Sequence, residues 1–184
     1  MWQFKTGVKP YCLEIDPNLL AVIKKRGFKC YRSLDQIKKK FDLIYTSNVL
    51  EHIKDDQLGL NKLNSKLKDG GQLVIYVPAF QILYSDLDNS IGHYRRYQKR
   101  DLLTKIKKAG FDVTRVYYSD SIGFFAWLYI KWMGYFQNKS QESMKTYDKF
   151  IFPFSKFFDA LGCKFIFGKN LLVYANKSKS NLTS

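Results

Sequence analysis

Strand-like and helix-like segments alternate between residues 8 and 77, and this alternation constrains the fold more than any other feature. Short, mostly apolar runs bounded by turn or cap residues are typical of buried strands. Such runs predict strands at residues 10–15, 28–31, 41–46 and 72–77. Because strands that alternate with helices at this spacing form βαβ units, the sequence predicts an α/β fold with a mostly parallel sheet.

Two helices are predicted between these strands. Asp16 and Pro17 suit the N-cap and first turn of the first helix, because aspartate accepts hydrogen bonds from free backbone amides and proline has no amide to leave unpaired. Gly27 is predicted to end that helix. The second helix is predicted to have an N-cap at Asp55 or Asp56, an apolar stripe of Leu60, Leu63 and Leu67, and an end at Gly70 and Gly71.

The pattern changes after Pro78. A polar loop is predicted up to about residue 97, and the segments that follow it are a helix ended by Gly110, a strand at 111–118 and a last strand within 164–175. We interpret residues 1–184 as a single domain. It is predicted to carry an aromatic-rich helical insertion at about 119–162 and a flexible tail at 176–184.

Polar residues follow three of the predicted strands, at the edge where open parallel sheets bind ligands. Glu14 follows the first strand, and a carboxylate there suits a ribose because its oxygens accept hydrogen bonds from both hydroxyl groups. Asn48 follows the third strand, and Pro78 ends the fourth. An acidic residue at a strand end is also a common helix cap, so Glu14 alone leaves both interpretations open. The ordered succession of all three favours a ligand site.

Four segments together resemble the class I S-adenosylmethionine-dependent methyltransferases, in the methyltransferase type 11/12-like branch. They are EIDP at 14–17, FDLIYTSNVLEHIKDD at 41–56, LKDGGQLVIYVPA at 67–79 and GHYRRYQKRDLLTKIKKAGF at 92–111. The resemblance implies a Rossmann-like, seven-stranded sheet whose last strand is antiparallel. It also implies S-adenosylmethionine as the cofactor and methyl transfer to a small-molecule acceptor, lipid-linked or sugar-linked among the options.

The same resemblance implies the positions that contact the cofactor. They are Glu14 for the ribose, Ile15 beside the adenosine, Ser33 and Leu34 near the adenine, and Asn48 and Val49 under the methionine part. Glu51 and His52 are interpreted as residues that brace the loop after the third strand, and a catalytic role is the less favoured alternative.

The family's first strand and its glycine-rich loop should precede Glu14, but residues 1–11, which stand there, contain a single glycine, Gly7. About 20–30 residues of a βαβ unit are therefore expected to be missing. This predicts a truncated reading frame, a misplaced start codon or a fragment, and it leaves open both an active enzyme and a chain that is inactive as it stands. The alternative to an enzyme is a non-catalytic remnant or an interaction domain with the methyltransferase fold.

Residues 93–96 (HYRR) lie after the fourth strand, where the family places groups that face the acceptor. His93 is the candidate catalytic residue, since imidazole takes up protons near neutral pH. Tyr94, Arg95 and Arg96 are the candidate substrate-binding residues, because arginine binds carboxylate or phosphate through two parallel hydrogen bonds. Methyl transfer from a sulfonium chiefly requires in-line positioning, so a protein base is not obligatory.

A structural interpretation of the same segment stays open. In it, His93 and one arginine tie down the loop through backbone carbonyls and nearby acids such as Asp86 or Asp88.

Aromatic residues are concentrated before the predicted last strand. Residues 117–167 hold 17 of the chain's 31 Phe, Trp and Tyr residues. This predicts a lid over a bulky or lipid-linked acceptor, or peripheral membrane contact through residues 121–158, where lysines lie among the aromatics. The alternative is a covering layer on the sheet or a dimer face. The longest apolar stretch falls short of the roughly 20 residues that cross a bilayer.

The chain is strongly basic, with 31 lysines and arginines against 16 acids and a net charge of +15. This charge favours anionic partners, although a biased codon pool also explains it. The lysines are spread along the chain and no nucleic-acid-binding motif is present, which argues against nucleic acid. The three scattered cysteines and the lack of a signal-like apolar region in residues 1–10 predict a reduced, cytoplasmic protein. No CxxC pair suggests a zinc site, and no metal site is predicted in the chain.

Overall fold

Six strands and six α-helices occupy the residues that this computed structural model describes, 10–132 and 152–179. The strands are β1 Tyr11–Leu13, β2 Lys29–Tyr31, β3 Phe41–Ser47, β4 Leu67–Pro78, β5 Phe111–Ser119 and β6 Asn170–Lys177. The helices are α1 Pro17–Lys25, α2 Asp56–Ser65, α3 Asp86–Ser90, α4 Lys99–Lys108, α5 Ser121–Trp132 and α6 Phe152–Ala160. The chain divides into two units, residues 1–40 and 41–184.

The first unit contains one βαβ element, as the sequence predicts. Strands β1 and β2 pair in parallel with Cys12 opposite Cys30, and α1 connects them. The Asp16 side chain accepts hydrogen bonds from the backbone amides of Asn18 at 2.7 Å and Leu19 at 3.0 Å, so it is the predicted N-cap. Helix α1 ends just before Gly27, whose positive φ of 81° favours glycine.

The second unit is built on a four-stranded sheet in the order β3-β4-β6-β5. Strands β3 and β4 are parallel, and β6 runs antiparallel to both β4 and β5. The last strand in sequence therefore lies inside the sheet, against the direction of the other three. Buried apolar side chains of the two central strands form the core: Leu73, Ile75 and Val77 from β4, and Leu171, Val173 and Ala175 from β6.

The prediction that Gly70 and Gly71 end the second helix is wrong. Helix α2 ends at Ser65, and both glycines lie inside β4, which already begins at Leu67. The β3–β4 register shifts between Phe41 and Leu43, beside these glycines. Gly70 has a φ of 73°, and a Cβ on Gly71 would stand 2.8 Å from the Lys68 carbonyl oxygen. Glycine is required here by an irregular strand start, since a strand bulge and a helix end need the same backbone freedom.

The boundaries of the last strand also differ from the prediction. Strand β6 spans Asn170–Lys177, whereas Cys163–Phe165 forms a 3₁₀ turn. Gly168 separates the two, and a Cβ there would stand 2.6 Å from the backbone oxygen of Ser119. Lys169 then donates its backbone N–H to the Asp120 carbonyl at 3.0 Å. This close backbone approach, which side-chain patterns do not reveal, sets where β6 begins.

Two helical segments lie in the predicted polar loop after Pro78, a 3₁₀ turn at Gln81–Leu83 and helix α3. The predicted aromatic-rich insertion contains α5 and α6, and its residues 133–151 lie outside the described residues. In the described part of the chain, no helix is long and apolar enough to cross a membrane.

Candidate active site

The loop after β3 carries two of the predicted cofactor residues, Asn48 and Val49. Asn48 has a φ of 51°, a left-handed conformation that asparagine tolerates better than most residues. Its backbone N–H donates to the Tyr76 carbonyl at 2.9 Å, which anchors the loop to β4. The Asn48 side chain is exposed, and Val49 is 43% exposed. Both predicted cofactor residues of this loop are therefore accessible at the carboxyl end of β3.

The four other predicted cofactor residues lie in the first unit. Glu14 follows β1 and is half-buried, and its carboxylate accepts the Asp16 backbone N–H at 2.9 Å. Ile15 is 79% exposed. Ser33 follows β2 and caps the 3₁₀ turn that starts at Leu34, with its hydroxyl accepting the Asp35 backbone N–H at 3.2 Å. Glu14 and Ser33 thus follow the carboxyl ends of two neighbouring parallel strands.

Glu51 is a fully buried carboxylate in the 3₁₀ turn Leu50–His52. Neither of its side-chain oxygens has a hydrogen-bond partner among the described residues. Burial raises the pKa of Glu51 to about 7, and the backbone N–H of Glu51 itself and the nearby Arg96 charge only partly oppose this. A buried carboxylate without partners is costly, because the surrounding protein does not replace the water that it loses.

Asp88 is a buried carboxylate that, unlike Glu51, has several hydrogen-bond donors. It accepts bonds from the Ser85 hydroxyl and backbone N–H, both at 3.0 Å. It also contacts the Arg96 Nε at 2.9 Å and the His93 Nδ1 at 2.8 Å. Burial alone would raise the pKa of Asp88, but the Arg96 guanidinium and the other donors outweigh it and hold this pKa below its usual range. Asp88 is therefore the charged anchor of the segment after α3.

His93 points from Asp88 towards Glu51. Its Nδ1 faces Asp88, and its Nε2 lies 3.8 Å from the Glu51 Oε1. Burial lowers the pKa of His93 below 6.5, although Asp88 opposes this shift. A neutral imidazole that donates from Nδ1 to Asp88 carries its lone pair on Nε2, on the side of Glu51. The His52 ring packs edge-on against His93, with 4.5 Å between ring centroids.

The two predicted substrate-binding arginines are both engaged in ion pairs. Arg96 is bound to Asp88, and its guanidinium lies over the Trp127 ring at 5.2 Å. Arg95 contacts Asp56 at 2.9 Å through Nη1 and donates to the Lys54 carbonyl at 2.7 Å through Nη2. Tyr94, by contrast, is 56% exposed. The contact of Arg96 with Asp88 is of the kind that the structural interpretation assigns to one arginine.

Asp56 is a second carboxylate that holds this segment in place. The sequence indicated it only as one of two candidates for a helix N-cap. It accepts hydrogen bonds from the Tyr97 hydroxyl at 3.0 Å and the Lys105 Nζ at 2.6 Å, in addition to Arg95. Burial alone would raise the pKa of Asp56, but Lys105, Tyr97 and Arg95 together hold it below its usual range. No local pattern links Asp56 to Lys105. For Asp88, the S-x-x-D spacing from Ser85 is a capping signature that points to it.

Asp56→Asn is expected to lower the free energy of unfolding by about 2 kcal/mol at pH 7, since hydrogen bonds to a charged group are lost. The folded-state pKa of Asp56 lies below its unfolded value, so its charge stabilises the fold above the unfolded pKa near 4. That stabilisation disappears as the pH falls through the folded pKa. Urea unfolding from pH 7 to pH 2 should show the wild-type and variant curves converging below about pH 4.

Asp69→Asn is the matched control, because Asp69 pairs with Lys177 at 3.2 Å but is 60% exposed. It should change the free energy of unfolding by less than about 1 kcal/mol. A difference between wild type and Asp56→Asn that stays constant down to pH 2 would contradict the role of the Asp56 charge.

The comparisons with known proteins place these features in a family. The family model for a methyltransferase domain matches residues 5–116, more than half of the chain. No curated protein matches the sequence.

Solved structures with this fold have low sequence identity to the chain. An S-adenosylmethionine-dependent methyltransferase from Archaeoglobus fulgidus is 18% identical, with a TM-score of 0.59 over 96% of this chain and 79% of that chain. One from Mesorhizobium loti is 14% identical, with a TM-score of 0.59 over 95% and 83%. The [4+2]-cyclase SpnF is 13% identical, with a TM-score of 0.54 over 95% and 68%. At such identities these likenesses show the fold alone.

The family match covers the βαβ element of the first unit, the Asn48 loop, Glu51 and the segment from Asp88 to Arg96. The α/β architecture with an antiparallel last strand agrees with it. This chain therefore belongs to the methyltransferase-domain family, in the class I superfamily whose cofactor is S-adenosylmethionine.

Proposed function

We propose that this protein transfers a methyl group from S-adenosylmethionine to a small-molecule acceptor at the site formed by His93 and Glu51. One observation carries the proposal. The loop expected to hold the methionine part of the cofactor leads within three residues to Glu51, and the Glu51 carboxylate lies 3.8 Å from His93 Nε2. The cofactor loop and the acceptor-facing segment thus meet at one place in the second unit.

The proposed reaction requires little covalent chemistry from the protein. S-adenosylmethionine would supply the methyl group to the acceptor's nucleophilic atom, in line with the C–S bond that breaks, and S-adenosylhomocysteine would be the other product. An acceptor O–H or N–H loses its proton to the lone pair of His93 Nε2, and Asp88 stabilises the resulting imidazolium through Nδ1. Arg95 and Arg96 hold the segment in position, and Tyr94, which is exposed, contacts the acceptor.

The exposed aromatic side chains of α5 and α6 favour an apolar or lipid-linked acceptor and contact with a membrane surface. Tyr129 is 61% exposed and Trp132 81% on α5, and Phe154 is 65% and Phe157 61% on α6. Lys131 and Lys156 lie among these rings in the sequence, which suits an anionic lipid surface. The alternative function is a non-catalytic interaction domain that uses the same aromatic face.

Calorimetric titration of the full chain with S-adenosylmethionine tests cofactor binding. We expect saturable binding that Glu14→Ala weakens at least about tenfold, because the ribose loses its carboxylate. Asp112→Ala, an exposed acid on β5, is the control and should bind as the wild type does. Absence of binding by the wild-type chain would refute the methyltransferase and leave the interaction domain.

Transfer of radiolabelled methyl groups into separate lipid-extractable and water-soluble acceptor pools tests the reaction and the acceptor class. His93→Gln should lower the transfer rate about 100-fold while S-adenosylmethionine binds normally. Labelling only in the water-soluble pool would contradict a lipid-linked acceptor. An unchanged rate in His93→Gln would contradict the catalytic role of His93.

A further inference from the structure

Glu51, His52 and His93 form a cluster of three metal-ligating side chains. Each offers one ligand atom, and the three atoms lie within 4.8 Å of one another. The two histidines are the only ones in the chain. The fold brings both histidines to one carboxylate, because His93 is separated from the Glu51–His52 pair by about 40 residues of sequence.

Both histidines are oriented by a second partner. His93 Nδ1 lies 2.8 Å from the Asp88 Oδ1, which leaves Nε2 directed at Glu51. His52 Nδ1 lies 3.2 Å from the Gly92 carbonyl oxygen. Metal-bound histidines usually donate their other N–H to a carboxylate or a backbone carbonyl, and these are the two partner types present here.

Glu51 supplies the independent observation that points to a ligand. Its side chain is fully buried, and both oxygens are without hydrogen-bond partners among the described residues. The cationic side chain of Arg96 is engaged by Asp88 at 2.9 Å, and no salt bridge joins Arg96 to Glu51 among the described residues. A buried carboxylate normally pairs with a cation or coordinates a metal, so the cluster lacks a positive charge.

We propose that Glu51, His52 and His93 form a binding site for one divalent transition-metal ion of the Zn²⁺ class. One carboxylate and two imidazoles suit Zn²⁺ and related ions, and three protein ligands leave one coordination position open. Tetrahedral ligands about 2 Å from zinc lie about 3.3 Å apart. The 3.8 Å from Glu51 Oε1 to His93 Nε2 therefore has to shorten only slightly. His52 is exposed and gives the ion a path to the site.

Metal binding and proton transfer compete for the same nitrogen. An ion on His93 Nε2 occupies the lone pair that the proposed methyl transfer uses, so Zn²⁺ should inhibit transfer. This consequence rests on the proposed function, whereas metal binding itself does not. Binding and catalysis therefore have to be measured separately.

The test uses the full chain and Zn²⁺, in competition with a chromogenic chelator. One ion per chain is expected for the wild type. Asp88→Asn, which replaces the charged partner of His93 by a neutral amide, should weaken binding about 10–100-fold, and Glu51→Gln or His52→Gln should weaken it further. The control replaces Cys12, Cys30 and Cys163 by serine and should bind as the wild type does. Circular dichroism of each variant checks that it is folded.

Imidazole NMR signals provide a second readout, since only two histidines contribute. Zn²⁺ should shift both signals at one equivalent. Wild-type affinity retained in both Glu51→Gln and His52→Gln, or binding lost in the cysteine variant, would overturn the site. Zn²⁺ bound at one equivalent by a chain that does not bind S-adenosylmethionine would leave the metal site standing and the proposed function refuted.

Discussion

Asp88→Asn is expected to lower the free energy of unfolding by about 3–5 kcal/mol, because it leaves a buried guanidinium without its counter-ion. The Arg96 side chain is only 4% exposed, and its Nε contacts Asp88 at 2.9 Å. The neutral amide does not compensate this charge. Its NH₂ group is a donor, so it cannot accept the hydrogen bonds that the surrounding groups donate to Asp88. Such a loss is a large share of the stability of a small domain.

Urea unfolding followed by circular dichroism measures this change at constant pH. Asp86→Asn is the matched control, since Asp86 lies in the same first turn of α3 but is exposed. It should alter the free energy of unfolding by less than about 0.5 kcal/mol. If both variants lose the same small amount, the Asp88–Arg96 pair does not hold this segment.

Gly168→Ala is expected to cost about 3 kcal/mol, at the upper end of what overpacking costs. The added Cβ would stand 2.6 Å from the Ser119 oxygen, 2.8 Å from its nitrogen and 2.9 Å from its carbonyl carbon. All three are backbone atoms at the end of β5, so no side chain can move aside. The β5–β6 pairing that begins with Ser119 opposite Asn170 has to shift instead.

Gly59→Ala is the control for this substitution. A Cβ on Gly59 would lie 3.3 Å from the Ile53 Cδ1, the end of a flexible side chain. Gly59 also lies inside α2, where alanine has the higher helix propensity, so the net change should stay within about 1 kcal/mol. Equal midpoints of urea unfolding for Gly168→Ala and wild type would show that the backbone contact carries no energetic penalty.

Local patterns were sufficient for most of the elements. The Asp16 cap, the end of α1 before Gly27 and the strand at Phe41–Ser47 follow from residues adjacent in sequence. Local patterns failed at Gly70 and Gly71, because a helix end and a strand bulge need the same backbone freedom. They also failed at the start of β6, which depends on how close Gly168 comes to Ser119.

In the candidate site, too, local patterns identified individual residues but did not predict the contacts between them. The sequence singled out His93, and it suggested Glu51 and His52 chiefly as a brace for the loop. The spacing of these residues did not predict the 3.8 Å distance between the Glu51 Oε1 and the His93 Nε2. The two segments are far apart in sequence, and only the fold brings them together. Nor did it indicate which arginine pairs with which acid. In the structure, Asp56 holds Arg95 and Asp88 holds Arg96.

The order of strands and helices and the family of this protein were therefore readable from the chain alone, because caps, apolar periodicity and motifs act between residues that are near in sequence. The chemical state of the site depended on packing. A buried charge that is left unpaired costs free energy. Folding gave Asp88 four hydrogen-bonding contacts and left both Glu51 oxygens without hydrogen-bond partners among the described residues. That difference between two carboxylates in one site exists only in the folded protein.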